Sequence, residues 1–160
     1  MNHLTMTPES HENDETPEPQ DLSAETLRLL GSRGHGVLST IKKDGRPQLS
    51  IVGYAFDADQ RRVRISLTDG RAKTANLRRD ARCSMLVTTP EFRPWVTLEG
   101  TAQLTPTAAD PHDATVDALI DQYRAVAGEH PDWDDYRSAM VKDRRLVLSF
   151  TVDHAYGFTW

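Results

Sequence analysis

The stretch Arg71-Ala72-Lys73-Thr74-Ala75-Asn76-Leu77-Arg78-Arg79-Asp80 decides how the rest of the chain is read. It follows a predicted strand, Val63-Arg64-Ile65-Ser66-Leu67, and a turn, Thr68-Asp69-Gly70. A second predicted strand, Arg82-Cys83-Ser84-Met85-Leu86-Val87, comes directly after it. The decapeptide therefore reads as a short helix between two strands. Arg71 and Lys73 fall near its start, where backbone N–H groups lack intrahelical partners. Cationic side chains and helical N–H groups aimed at one place make an anion site. Cations at a helix start oppose the macrodipole unless an anion sits there. The other reading of the same residues is a solvated basic helix.

Working outward, 160 residues suggest one domain. With 38% hydrophobic and 27% charged residues the chain can form an ordinary core. A net charge of −5 argues against a general nucleic-acid binder, so any anion site must be local. Cys83 is the sole cysteine, which excludes an intrachain disulfide and a cysteine-based zinc site; no metal site is predicted. There is no long apolar run and no signal-peptide pattern, so no membrane partner and a cytoplasmic location are expected. Residues 1–20 are acidic, carry prolines and have few large apolar groups. Such a composition cannot offset ordering entropy, and a disordered tail is expected ahead of a folded domain at 21–160. His3 and His11 leave two readings of that tail, metal-binding or merely solvated.

The domain opens with a helix that Asp21 or Ser23 can cap, with Leu27 and Leu30 on one face and Gly31 and Gly34 ending it. A strand over 35–41 leads to Lys43-Asp44-Gly45-Arg46, whose Asp-Gly suits a tight hairpin turn. Pro47 suits the start of the next strand, 48–56, which sets Gln48 and Ser50 on one side against Leu49 and Ile51 on the other. Beyond the central helix, a strand over 95–104 sets Val96, Leu98, Ala102 and Leu104 against Trp95, Thr97, Glu99, Thr101 and Gln103. Gly100 within it predicts a bulge or a corner. A helix follows with Val116, Leu119, Ile120, Tyr123 and Val126 in helical spacing, then a second with Trp133, Tyr136 and Met140 on one stripe. A last strand spans 145–153. Six strands with tight turns predict a mainly β protein: an antiparallel sheet closed into a small barrel, with peripheral helices.

Several segments carry a resemblance. Gly36-Val37-Leu38-Ser39-Thr40-Ile41, Asp44-Gly45-Arg46-Pro47-Gln48-Leu49-Ser50 and the 71–80 helix resemble the split β-barrel flavin and deazaflavin oxidoreductases, the pyridoxamine 5′-phosphate oxidase-like group. Glu99-Gly100-Thr101-Ala102-Gln103-Leu104, Ala127-Gly128-Glu129-His130-Pro131-Asp132-Trp133 and Tyr136-Arg137-Ser138-Ala139-Met140-Val141 continue it. The nearer match is the subgroup that binds coenzyme F420, a deazaflavin.

The resemblance implies a six-stranded FMN-binding split barrel, working as a homodimer with two cofactor sites at the seam. It implies that Arg71, Lys73 and Thr74 hold the cofactor phosphate, and that Asn76 and Arg79 brace that loop or touch the acidic tail of F420. Ser39, Thr40, Gln48 and Ser50 would line the ring and ribityl region. Trp95 would approach the same pocket, from its own or from the partner subunit, and Arg46 is a further charge contact or a solvated turn residue. The implied activity is hydride transfer between F420 and a small organic substrate. The alternatives are an FMN-dependent oxidase or reductase and a non-catalytic flavin- or haem-binding protein. The cluster Arg71, Lys73, Arg78 and Arg79 favours F420, whose oligoglutamate tail can use the extra cations. No catalytic side chain is singled out: His35 and His154 are proton donors or structural histidines. The ending Tyr156-Gly157-Phe158-Thr159-Trp160 lacks the Arg-Leu-x-Pro pattern of authentic pyridoxamine phosphate oxidases.

Removing residues 1–20 is expected to leave the thermal midpoint and cofactor affinity nearly unchanged. A large loss of either, measured by calorimetry and titration, would show that the tail docks.

Overall fold

The computed structural model describes residues 22–158, so the expectations for the 1–20 tail lie outside the described residues. Helix α1 (Ala24–Ser32) is capped by Ser23, whose Oγ accepts the Thr26 N–H at 3.1 Å. There follow β1 (His35–Ile41), β2 (Pro47–Gly53), β3 (Ala55–Asp57), β4 (Arg62–Thr68), α2 (Ala72–Arg79), β5 (Arg82–Thr88), β6 (Trp95–Thr101) and β7 (Gln103–Leu104). The chain then forms α3 (Ala114–Ala127), α4 (Trp133–Lys142), β8 (Arg145–Thr151) and β9 (His154–Phe158). Among the described residues no helix is long and apolar enough to cross a membrane.

The six predicted strands are present, but two of them are split, and with an unpredicted strand at 154–158 the described residues form nine strands in two antiparallel sheets rather than one closed barrel. One sheet has the order β2-β1-β5-β6-β9, the other β3-β4-β8-β7. The predicted strand 48–56 breaks at Tyr54, and 95–104 breaks at Ala102, each passing the chain from the first sheet to the second. At the first break the Tyr54 hydroxyl donates to the Leu30 carbonyl at 2.7 Å and its N–H to the Gly34 carbonyl at 3.0 Å. At the second, the Ala102 N–H turns to the Ala81 carbonyl at 2.7 Å. After β8 the chain crosses back, and the segment beyond residue 153 pairs with β6 as β9.

Leu38, Met85 and Leu98 of the first sheet and Ile65, Leu148 and Phe150 of the second share one fully buried cluster. Each contributes about 1.5–3 kcal/mol through burial. A second cluster, Val116, Leu119, Ile120 and Tyr136, packs α3 and α4 on Val147 of β8.

The outer face of the first sheet has an unusual polarity. Apolar residues of an alternating strand ordinarily face the core, yet Leu49 and Ile51 are 61% and 77% exposed while Gln48 and Ser50 are half-buried. Strand register aligns Ile51, Val37, Leu86, Thr97 and Tyr156 in one row across the whole sheet. Leu86, Tyr156 and the nearby Phe158 are also exposed.

Gly100 is where the two sheets approach. A Cβ there would stand 2.5 Å from the Thr151 carbonyl oxygen and 2.6 Å from Phe150 Cδ2. A backbone oxygen cannot rotate away, so this close approach needs glycine, while the chain changes sheet two residues later at Ala102. Gly100→Ala is expected to destabilise by about 1–3 kcal/mol, the usual cost of overpacking. An unchanged denaturation midpoint would show that the sheets can slide apart there at no cost.

Candidate functional site

Helix α2 sits between the two sheets because both hold it. Thr74, fully buried, donates from Oγ1 to the Thr68 carbonyl of β4 at 2.8 Å. Asn76, also buried, donates from Nδ2 to Thr40 Oγ1 of β1 at 3.1 Å. Thr40 in turn donates to Gln48 Oε1 at 3.0 Å, and Arg79 donates to Asn76 Oδ1 at 3.1 Å and to the Ile41 carbonyl at 2.6 Å. These bonds fix the direction of the first turn of α2, where Arg71 is the N-cap residue with no side-chain capping bond.

That first turn opens on a cavity of about 340 Å³, lined by Arg71 and Lys73, by Ser66 and Thr68 of β4, and by Arg145 of β8. Arg145 stands directly opposite Thr68 in the strand register. It donates from Nε and Nη2 to Ser66 Oγ at 3.1 and 2.6 Å, and from Nη1 to Thr68 Oγ1 at 2.9 Å. Among the described residues no carboxylate lines the cavity. The Lys73 ammonium is held below its ordinary pKa by burial first, then by the charges of Arg71 and Arg145. The acid next in sequence to Thr68, Asp69, is taken by two other cations. Arg78 Nη1 lies 2.5 Å from its carboxylate, and Arg144 makes a second ion pair with it. The hydrogen bond from Arg78, then the charges of Arg78 and Arg144, lower the Asp69 pKa against the opposing effect of burial.

The residues named from sequence fall into separate places. Arg71 and Lys73 line the cavity. Thr74, Thr40, Asn76, Gln48 and Arg79 form the hydrogen-bonded support described above, in which Thr74 is wholly enclosed. Ser50 Oγ is a buried atom with no hydrogen-bond partner among the described residues. Ser39 points from the opposite face of β1 to Thr40, and lines a different cavity of about 400 Å³ with Ser84, Glu99 and His154. Trp95 lies on β6, three strands from β2, roughly 14 Å away at the usual strand spacing. Its ring meets Tyr156 edge-on, with centroids 6.3 Å apart. Arg145 was not legible as a site residue: it is 77 positions from Thr68 in sequence, and only the pairing of β4 with β8 brings them together.

Other reactive groups offer little. Burial, and secondarily the charge of Asp153, push the Cys83 thiol up to about 12, so it carries no appreciable thiolate at neutral pH. His154 is exposed, opposite Glu99 in register, with its ring 5.9 Å from that of Tyr156. Among the described residues no three His, Cys, Asp or Glu side chains are placed to hold a metal ion.

Two antiparallel sheets thus grip a short basic helix, with a cation-lined cavity at its start. The sequence profile of the pyridoxamine 5′-phosphate oxidase family matches residues 22–158, and the chain belongs to that family. It is 25% identical over 136 residues to an F420-dependent biliverdin reductase of Mycobacterium tuberculosis (strain CDC 1551 / Oshkosh), covering 85% of this chain and 88% of the relative. Among solved structures it resembles the conserved hypothetical protein Rv2991 from Mycobacterium tuberculosis, with TM-score 0.66 and 21% identity over 88% of this chain and 86% of the other. It also resembles an F420 reductase, with TM-score 0.57 and 23% identity over 81% and 94% of the two chains.

The enclosure of Cys83, only 5% exposed, has a direct readout. The folded protein is expected to react with a thiol-specific disulfide reagent at pH 8 far more slowly than the denatured chain. Equal rates would show that the barrier around β5 opens readily.

Proposed function

We propose that the chain is an oxidoreductase that binds coenzyme F420 by its phosphate at Arg71 and Lys73, and that it acts as a homodimer. The observation carrying this reading is the cavity at the start of α2, which gathers cations and, among the described residues, no carboxylate, in a chain of net charge −5. The residues fit the phosphate of a flavin or deazaflavin: they offer donors and positive charge, and the α2 N–H groups add to both. The F420-dependent relative supports the choice of cofactor.

When bound, the reduced deazaflavin would be the source of a hydride; the protein's part is placement and the exclusion of water. Arg71 and Lys73 neutralise the phosphate. The Thr40–Asn76–Arg79 support keeps their helix from shifting under that load. The partnerless Ser50 hydroxyl, on the same strand as Gln48, is left with hydrogen-bonding capacity to offer a ligand. In this reading the sheets form the two halves of a split barrel. Followed through their breaks, five of the six long strands pair with two neighbours and β6–β7 with three, β9 being the third, which supports it. A second copy of the chain would cover the apolar outer face of the first sheet and bring its own Trp95 toward the cavity that this chain's Trp95 does not reach. Two-fold pairing is the commonest closed arrangement, and such a face is the kind it buries.

FMN is the second reading, and one observation favours it. Arg78 is paired with Asp69, and Arg79 is bonded to Ile41 and Asn76. The preference for the polyanionic tail of F420 therefore loses its electrostatic motive, and a single phosphate suits the cavity as well.

Titration of apo-protein with F420 and with FMN decides the cofactor. Lys73→Ala is expected to weaken the preferred one by about 1.5–3 kcal/mol, the scale of a charged hydrogen bond. Unchanged affinity would move the phosphate site elsewhere. Leu86→Asp, on the outer face, is expected to yield monomers in sedimentation runs at micromolar concentration. A dimer that survives it would exclude this face as the seam.

A further inference from the structure

Arg145 bonds across two strands, and the bland account is that it only ties β8 to β4. Its donor inventory says more. A guanidinium has five N–H donors. Three are used on Ser66 and Thr68, one each from Nε, Nη1 and Nη2. One donor on each Nη remains. Ser66 Oγ accepts two of these bonds and Thr68 Oγ1 accepts one, so each hydroxyl keeps its own proton to give. The guanidinium lines the same cavity as Lys73 and acts on its charge. That wall of the cavity is therefore rich in donors, with its hydroxyl oxygens already engaged as acceptors. A cationic ligand is repelled by it and a neutral one leaves its positive charge uncompensated, whereas a phosphate group brings several acceptor oxygens and negative charge.

We propose that Arg145 is a third phosphate-binding cation of this site, and that Ser66 and Thr68 are positioning residues that hold its guanidinium toward the ligand. The proposal rests on the cofactor reading above for the identity of the ligand, but not for its chemical class. The fork is held in place before the ligand arrives, so little side-chain freedom is lost on binding. Arg145→Lys cannot reproduce it, because an ammonium on a flexible stem lacks the planar pair of outward donors.

The test uses the whole chain and its Arg145→Met, Arg145→Lys, Ser66→Ala and Thr68→Val variants, titrated with F420, FMN and riboflavin. Thermal midpoints are also measured with and without inorganic phosphate. Arg145→Met is expected to weaken the phosphate-bearing cofactor by about tenfold or more, the loss typical of a charge-assisted hydrogen bond. Riboflavin affinity should be unchanged, and the thermal shift given by phosphate should be lost. Arg145→Lys should recover only part of the affinity, and the two hydroxyl variants should lose a smaller part with the fold intact. If Lys73→Ala loses affinity but Arg145→Met stays within twofold of the parent, Arg145 ties strands only and the proposal is overturned. If neither cofactor binds the parent better than riboflavin, yet phosphate raises its midpoint and not that of Arg145→Met, the proposal stands and the cofactor reading falls. Should Arg145→Met fail to fold, the hydroxyl variants decide: an undiminished phosphate response in both overturns it.

Discussion

Asn76 is the hinge pin of this molecule. It sits buried in α2, gives a hydrogen bond to Thr40 of the first sheet and takes one from Arg79 of its own helix. Two positions earlier, Thr74 ties the same helix to the end of β4 in the second sheet. Any one such bond adds only about 0.5–1.5 kcal/mol, but breaking one leaves a buried polar group unpaired at about 1–3 kcal/mol. The short basic helix is thereby clamped between sheets, and its first turn can aim only one way. Everything proposed for the site depends on that clamp.

The clamp gathers positive charge at some cost. Lys73 is partly withdrawn from water beside Arg71 and Arg145, and its depressed pKa records the strain. An anion in the cavity would not undo the burial, but its opposite charge would counter the repulsion from Arg71 and Arg145 and favour the charged ammonium. The nearby acid cannot relieve the strain, because Arg78 and Arg144 hold Asp69. The arrangement divides five basic residues by role. Arg71, Lys73 and Arg145 face the cavity, while Arg78 and Arg144 neutralise an acid of the protein itself.

What was legible in the sequence is local. The helix at 71–80 between two strands and the Asp44-Gly45 turn with Gly45 at φ 84° follow from neighbouring residues and are present, while at Gly100 the strand stays in register and the second sheet passes close by. What was not legible is long-range. Alternation in 48–51 separates two faces but does not say which one faces the core, and here the polar side turns inward. Ser39 and Thr40 are adjacent in sequence and so point to opposite sides of one strand, which splits a set expected to line a single pocket. Arg145 joins the site only through pairing of β4 with β8, and the segment at 154–158 becomes a strand only because β6 offers it an edge.

The central claim is that the cofactor is held by its phosphate at the start of α2. Phosphorus NMR of F420 titrated with the protein tests this at the atom concerned, while ring fluorescence reports binding independently. The account predicts that the phosphorus resonance moves and broadens in step with the fluorescence change, reaching its end point at one cofactor per chain. A ring that binds while the phosphorus resonance keeps its free position and width would contradict it.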